Sequence, residues 1–141
     1  MIEDFTLPVR TPRAPQFATA PSCIHEVFEA QAHETPEAVA VSYIEETLTY
    51  RELNSRANQL ARYLRALGVC AETPVALYLD RSPTMVVAIL GVLKAGGAYV
   101  PIDLAYPMDR LSFMLQDTQA PILLTEQNLL SKLRRAIFGS A

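Results

Sequence analysis

The sequence predicts an α/β fold, a βαβαβ parallel sheet with helices on both faces. Three observations predict it. Short apolar runs recur at residues 74–79, 98–102 and 121–125. Helical patterns separate them, at 83–95 and again after Pro107. The joints carry the matching punctuation: Ser82-Pro83 before one helix, Gly96-Gly97 after it. Such alternation implies parallel strands joined by crossover helices. Parallel sheets are buried on both faces, and the helices near 50–67 and 83–95 are the expected covers.

Residues 1–21 carry four of the ten prolines: Pro8, Pro12, Pro15 and Pro21. Proline lacks an amide N–H and disfavours helix at the residue before it. This stretch is therefore predicted to be an extended linker or arm, and 22–141 to be the folded unit. Ser22 is the expected N-cap of a first helix. Ile24, Val27, Phe28, Gln31 and Ala32 share one helical face until Pro36 stops it. Residues 38–44 read as a strand with Val39, Val41 and Tyr43 alternating. Glu45-Glu46 is the expected turn, and 47–50 the return strand.

Thr49-Tyr50-Arg51-Glu52 has the pattern of a capping box. The helix it opens is amphipathic. Leu53, Ala57, Leu60, Ala61, Leu64 and Leu67 lie on one face. Arg51, Ser55, Asn58, Arg62 and Arg65 lie on the other, with Glu52 and Arg56 spaced for an i,i+4 pair. Gly68 is placed to end it in the left-handed conformation. Residues 74–79 form the next strand, with Val75, Leu77 and Leu79. Pro83 suits a first helical position, and 85–93 is apolar almost all round, so that helix should be buried. A strand follows at 98–102. Pro107 starts a helix with Leu111, Met114 and Leu115 inward. After the strand at 121–125, a last amphipathic helix runs over 127–138.

Composition narrows the function. Half of the 141 residues are hydrophobic and 19% are charged, which suits a folded domain. The net charge is −3, and nucleic-acid binding would need clustered Lys and Arg. Lys132, Arg134 and Arg135 form one local cluster, expected as a solvated helix end. Cys23 and Cys70 are far apart in sequence, so each is expected to be a small buried hydrophobe in a reduced, cytoplasmic setting. No signal peptide is evident. The longest apolar run, 85–93, is well short of the ~20 residues a membrane span needs.

The residues that could carry chemistry have structural roles on this reading. The loop Asp80-Arg81-Ser82-Pro83 has no glycine with which to wrap a phosphate, and Asp80 would repel one. Gly96-Gly97 lies at a helix C-terminus, the wrong end for an anion. Lys94, in the last turn of its helix, suits the dipole and can cover apolar surface with its stem. His25 and His33 are about 12 Å apart along a helix at ~1.5 Å per residue, too far to share a metal ion. Asp103 is expected to bond the backbone of a turn ahead of Tyr106-Pro107. No catalytic, cofactor-binding or metal-binding residue is assigned.

Four segments, in order, resemble the adenylation domains of non-ribosomal peptide synthetases. The first joins Ile24-His25-Glu26-Val27-Phe28-Glu29 to Thr35-Pro36-Glu37-Ala38-Val39-Ala40-Val41. The second is Leu48-Thr49-Tyr50-Arg51-Glu52-Leu53-Asn54. The third and most specific is Leu93-Lys94-Ala95-Gly96-Gly97-Ala98-Tyr99-Val100-Pro101-Ile102-Asp103-Leu104-Ala105-Tyr106-Pro107. The fourth is Leu123-Leu124-Thr125. Leu104 stands where the family usually has proline. The second segment also occurs in acyl-CoA ligases, but the third speaks for the peptide synthetases.

The resemblance implies the first layer of the large N-terminal subdomain of an adenylate-forming enzyme. A complete domain of this family uses ATP and Mg²⁺ to turn an amino acid into an aminoacyl adenylate, then passes the acyl group to a carrier-protein thiol. The phosphate loop, the nucleotide-binding acids, the substrate pocket and the catalytic lysine of that family lie beyond the matched segments. The resemblance therefore implies a truncated adenylation domain, inactive and without cofactor alone. The other reading is a small α/β interaction module that binds a partner synthetase or a complementing fragment. A partial layer should also leave apolar faces uncovered and promote self-association.

Overall fold

The computed structural model describes residues 23–139. The expected arm at 1–21 and the expected N-cap Ser22 lie outside the described residues. The first helix, α1, spans Ile24–Glu34, and its N-cap is Cys23. The cap falls there because Glu26, three residues on, accepts the Cys23 N–H at 3.1 Å. Ile24, expected on the buried face, sits in the exposed first turn.

Strands β1 (Val39–Tyr43) and β2 (Glu46–Thr49) form an antiparallel hairpin. Its turn is Ile44-Glu45, one residue earlier than expected, and Ile44 takes a left-handed φ of 53°. The expected alternation of Val39, Val41 and Tyr43 fails. The register slips between Val39 and Val41, and a bulge resets which side chains face inward. Ala40 and Val41 both pack on the core, while Val39 is 60% exposed.

Helix α2 (Tyr50–Ala66) opens on the predicted capping box. The Glu52 N–H donates to Thr49 Oγ1 at 3.2 Å, and the Thr49 N–H to the Glu52 carboxylate at 2.8 Å. With Glu52 so engaged, Arg56 pairs with Glu46 at 3.8 Å instead of with Glu52. Leu53, Ala57, Ala61 and Leu64 are buried. Leu67, expected on the same stripe, is the C-cap and points to solvent. Gly68 follows with φ 100°, the left-handed residue that ends the helix.

The alternating part follows as β3 (Pro74–Tyr78), α3 (Pro83–Ala95), β4 (Ala98–Pro101), α4 (Met108–Thr118) and β5 (Ile122–Thr125). The strands are parallel in the order β4-β3-β5, with Val75 opposite both Tyr99 and Ile122. A 3₁₀ turn, Gln127–Leu129, precedes α5 (Leu130–Phe138), so the last helix starts later than expected. Both sheet faces are covered, but α2 and α3 share one of them. Val75, Leu77 and Leu79 meet Leu64, Ala88 and Val92 there. On the other face Ala76 and Tyr78 meet Leu111 of α4 and Leu133 of α5. The hairpin packs at one end through Leu48, Leu53 and Leu90.

No sheet face is left bare among the described residues. Open apolar groups lie on helices, among them Phe113, Ile137 and Phe138, and also on the hairpin at Val39 and Ile44 and on β4 at Tyr99. Cys23 and Cys70 are both exposed and free, against the expectation of burial. Cys70 follows the turn after α2 rather than a core-facing position, and its N–H donates to Thr73 Oγ1 at 3.1 Å.

Candidate functional site

The two outer connections of the sheet leave on opposite faces. α3 departs from β3 to one side, and α4 departs from β4 to the other. In open α/β sheets a crevice opens at the strand carboxyl ends where neighbouring connections diverge. A hollow of about 390 Å³ lies there, walled by Leu79, Asp80, Arg81, Asp103, Leu104 and Tyr106 among others.

Each acid in this hollow also holds its own loop. Asp80 Oδ1 accepts the Arg81 N–H at 2.7 Å, and the Ser82 hydroxyl donates to the Asp80 carbonyl at 3.4 Å. Ser82 therefore braces the loop and makes no side-chain cap on α3. Asp103 Oδ1 accepts the Ala105 N–H at 2.8 Å, the turn-forming role expected of it. The Arg110 guanidinium lies 5.5 Å from the Tyr106 ring centre and steadies the far wall.

The other singled-out residues lie elsewhere. Gly96 caps α3 with φ 91°. Gly97 allows close approach: a Cβ there would stand 2.9 Å from the Thr73 carbonyl oxygen. Lys94 is only 6% exposed. Its ammonium pairs with Glu29 of α1 and lies 5.9 Å from the Phe28 ring centre. It thus tethers α1 to α3, a partner that helix position alone does not reveal. Lys132, expected in a solvated cluster, is half-buried. It donates to the Leu104 carbonyl at 2.7 Å and lies 5.9 Å from the Tyr78 ring centre.

His25 and His33 are not brought together. His25 sits instead with Cys23 and Glu26, their ligand atoms within 4.8 Å of one another. The local Cys-x-His-Glu spacing that brings them together involves neither a cysteine pair nor a histidine pair. The group is at the N-terminus of α1, where the helix dipole disfavours a cation. One Glu26 oxygen already accepts the Cys23 N–H.

The family model described as AMP-binding enzyme matches residues 28–138. The chain belongs to the AMP-binding enzyme family. It is 58% identical over 111 residues to tyrocidine synthase 3 of Brevibacillus parabrevis, covering 79% of this chain and 2% of that protein. It is 57% identical over 103 residues to bacitracin synthase 3 of Bacillus licheniformis, covering 73% of this chain and 2% of that protein. The chain thus spans about one-fiftieth of the length of these relatives.

Among solved structures, the nonribosomal peptide synthetase FmoA3 in its AMPPNP-bound form matches with a TM-score of 0.74 and 38% identity. That match covers 77% of this chain and 12% of FmoA3. The fold also matches the N-terminal subdomain of Klebsiella oxytoca NpsA, with a TM-score of 0.71, 24% identity and 77% of this chain against 28% of that one. The α/β architecture is therefore that of the N-terminal subdomain of AMP-binding enzymes.

The crevice residues of this family member do not fit a magnesium–nucleotide complex. A triphosphate needs a cradle of N–H donors and cations. Asp80 and Asp103 bring two carboxylates against the single Arg81 guanidinium. Pro83, at the first helical position, removes one N–H from the α3 terminus. What this arrangement does is hold the two strand-to-helix turns in place.

Proposed function

We propose that this chain is the first layer of the large N-terminal subdomain of an amino-acid adenylation domain, and that alone it catalyses no adenylation. The observation that carries this reading is the 58% identity over 111 residues to a peptide synthetase, together with the AMP-binding match over 28–138. On this reading the parent domain turns an amino acid and ATP, with Mg²⁺, into an aminoacyl adenylate and loads a carrier-protein thiol. The chain's part is to supply the sheet β4-β3-β5 and its covers as a scaffold. Its partners are the remaining adenylation-domain polypeptide and other synthetase domains, in the cytoplasm.

Exchange of radiolabelled pyrophosphate into ATP, measured with the purified chain and a mixture of amino acids, tests this. The expected result is no exchange above the protein-free blank. Exchange that depends on one amino acid would overturn the claim that this layer is inactive alone.

A further inference from the structure

Two hollows of about 430 and 650 Å³ lie side by side between α1 and α2, sharing Glu29, Asn58 and Arg62 in their walls. We propose that this groove docks an acidic, extended peptide segment of a neighbouring polypeptide.

The charges in the groove carry the argument. Of its two acids, Glu29 pairs with Lys94, and Glu26 accepts the Cys23 N–H and keeps its charge. Its two central arginines are not neutralised. Arg62 Nε donates to the Asn58 carbonyl at 3.3 Å, and Arg65 donates to the Lys94 carbonyl. Among the described residues the ion pairs are Arg51 with Glu37, Arg56 with Glu46 and Lys94 with Glu29, so neither Arg62 nor Arg65 has a carboxylate. Guanidinium groups left with carbonyl partners only are poised for carboxylates, which they bind through paired N–H donors. His25 and His33 add donors at the two ends.

Shape favours a peptide. The groove runs beside α1, whose 11 residues measure about 16 Å at ~1.5 Å per residue. An extended segment of about five residues, at ~3.3 Å each, matches that length. A polyphosphate or nucleic acid would crowd its charge against Glu26 and Glu29. A peptide spaces single carboxylates and can set them beside Arg62 and Arg65. The proposal does not depend on the adenylation reading, because any neighbouring polypeptide can supply such a segment.

The test is fluorescence anisotropy of a labelled peptide of alternating Glu and Ser, titrated with the full 141-residue chain at physiological ionic strength. Saturable binding is expected, with a Lys-Ser peptide failing to bind. Arg62→Glu with Arg65→Glu should weaken the Glu peptide by at least about tenfold and let the Lys-Ser peptide bind. Arg134→Glu with Arg135→Glu, on α5, should leave binding unchanged. Arg65 holds the C-terminal end of α3, so circular dichroism checks the fold of the double variant. Arg62→Glu alone repeats the test if that variant does not fold. Absence of saturable binding, or binding indifferent to Arg62→Glu, overturns the proposal. Displacement of the peptide by tripolyphosphate at equal concentration also overturns it, by making the groove a general anion site.

Discussion

The two faces of the central sheet are built to different standards. On the α2–α3 face, Val75, Leu77, Leu64 and Val92 are fully buried and pack among apolar side chains. On the α4–α5 face, the core includes the Tyr78 hydroxyl, buried and without a partner among the described residues, and Lys132 lies over the Tyr78 ring. Large side chains reach solvent on the helices of both faces, Tyr63 and Leu67 on one and Phe113, Ile137 and Phe138 on the other. The difference teaches that one strand serves two purposes. The odd-numbered side chains of β3 close a dry core, and its even-numbered ones meet a thinner layer with polar atoms inside it.

The largest expected effect tests that contrast directly. Leu64→Ala should cost about 2–5 kcal/mol, toward the upper end, because α2 is pinned between the hairpin and α3 and cannot close over the cavity. Leu133→Ala, in the short α5, should fall toward the lower end of the same range, because that helix is free on its outer side. Urea unfolding of both variants measures this. Equal losses would show that the two faces are packed to the same standard.

A smaller loss is expected at the α2–α3 contact. Gly91 of α3 lies directly under Leu60, and a Cβ there would stand 2.6 Å from Leu60 Cδ2 and 3.0 Å from its Cβ. Gly91→Ala would gain up to ~1 kcal/mol of helix propensity. Overpacking costs about 1–3 kcal/mol, and the Leu60 Cβ cannot rotate away, so net destabilisation is expected. A rise in melting temperature would mean that the dry face has slack.

How legible each region was in the sequence follows from the same contrast. The apolar spacing Val75, Leu77, Leu79 and the stripe Leu53, Ala57, Leu60, Ala61, Leu64, Leu67 are short-range periodicities; they marked the dry face at Val75, Leu77, Leu79, Ala61 and Leu64 and the α2 side of the hairpin contact at Leu53 and Ala57, and failed at the exposed Leu67. The capping box at Thr49 and the left-handed Gly68 are likewise local and were legible. The hairpin face was not, because a bulge between Val39 and Val41 breaks a period of two without leaving a composition signal. The assignment of α2 and α3 to one face depends on the order β4-β3-β5, which only tertiary contacts define. At the crevice, Asp103 was legible because its partner is two residues away. The Lys94–Glu29 pair spans 65 positions and was not. The Cys23, His25 and Glu26 group is local, but it contains neither a cysteine pair nor a histidine pair to mark it in the sequence.

The smallest expected effect has the opposite sign and probes the polar face. Burying a hydroxyl without a partner leaves its lost hydration uncompensated, at about 1–3 kcal/mol. Tyr78 is fully buried between α4 and α5, and its OH has no hydrogen-bond partner among the described residues. Tyr78→Phe keeps the ring, its packing against Leu111 and the cation above it, and removes only the orphan oxygen. The Thr125 hydroxyl, which donates to the Tyr78 carbonyl at 2.8 Å, is unaffected because that bond uses the backbone. The variant should therefore be more stable than the parent chain by about 1 kcal/mol, read as a shifted urea midpoint with an unchanged slope. A loss of stability would show that the hydroxyl has a partner in solution, such as a buried water, and that the thin face is sealed by polar contacts. The contrast between the faces would then be one of kind, with apolar packing on one side and hydrogen bonding on the other.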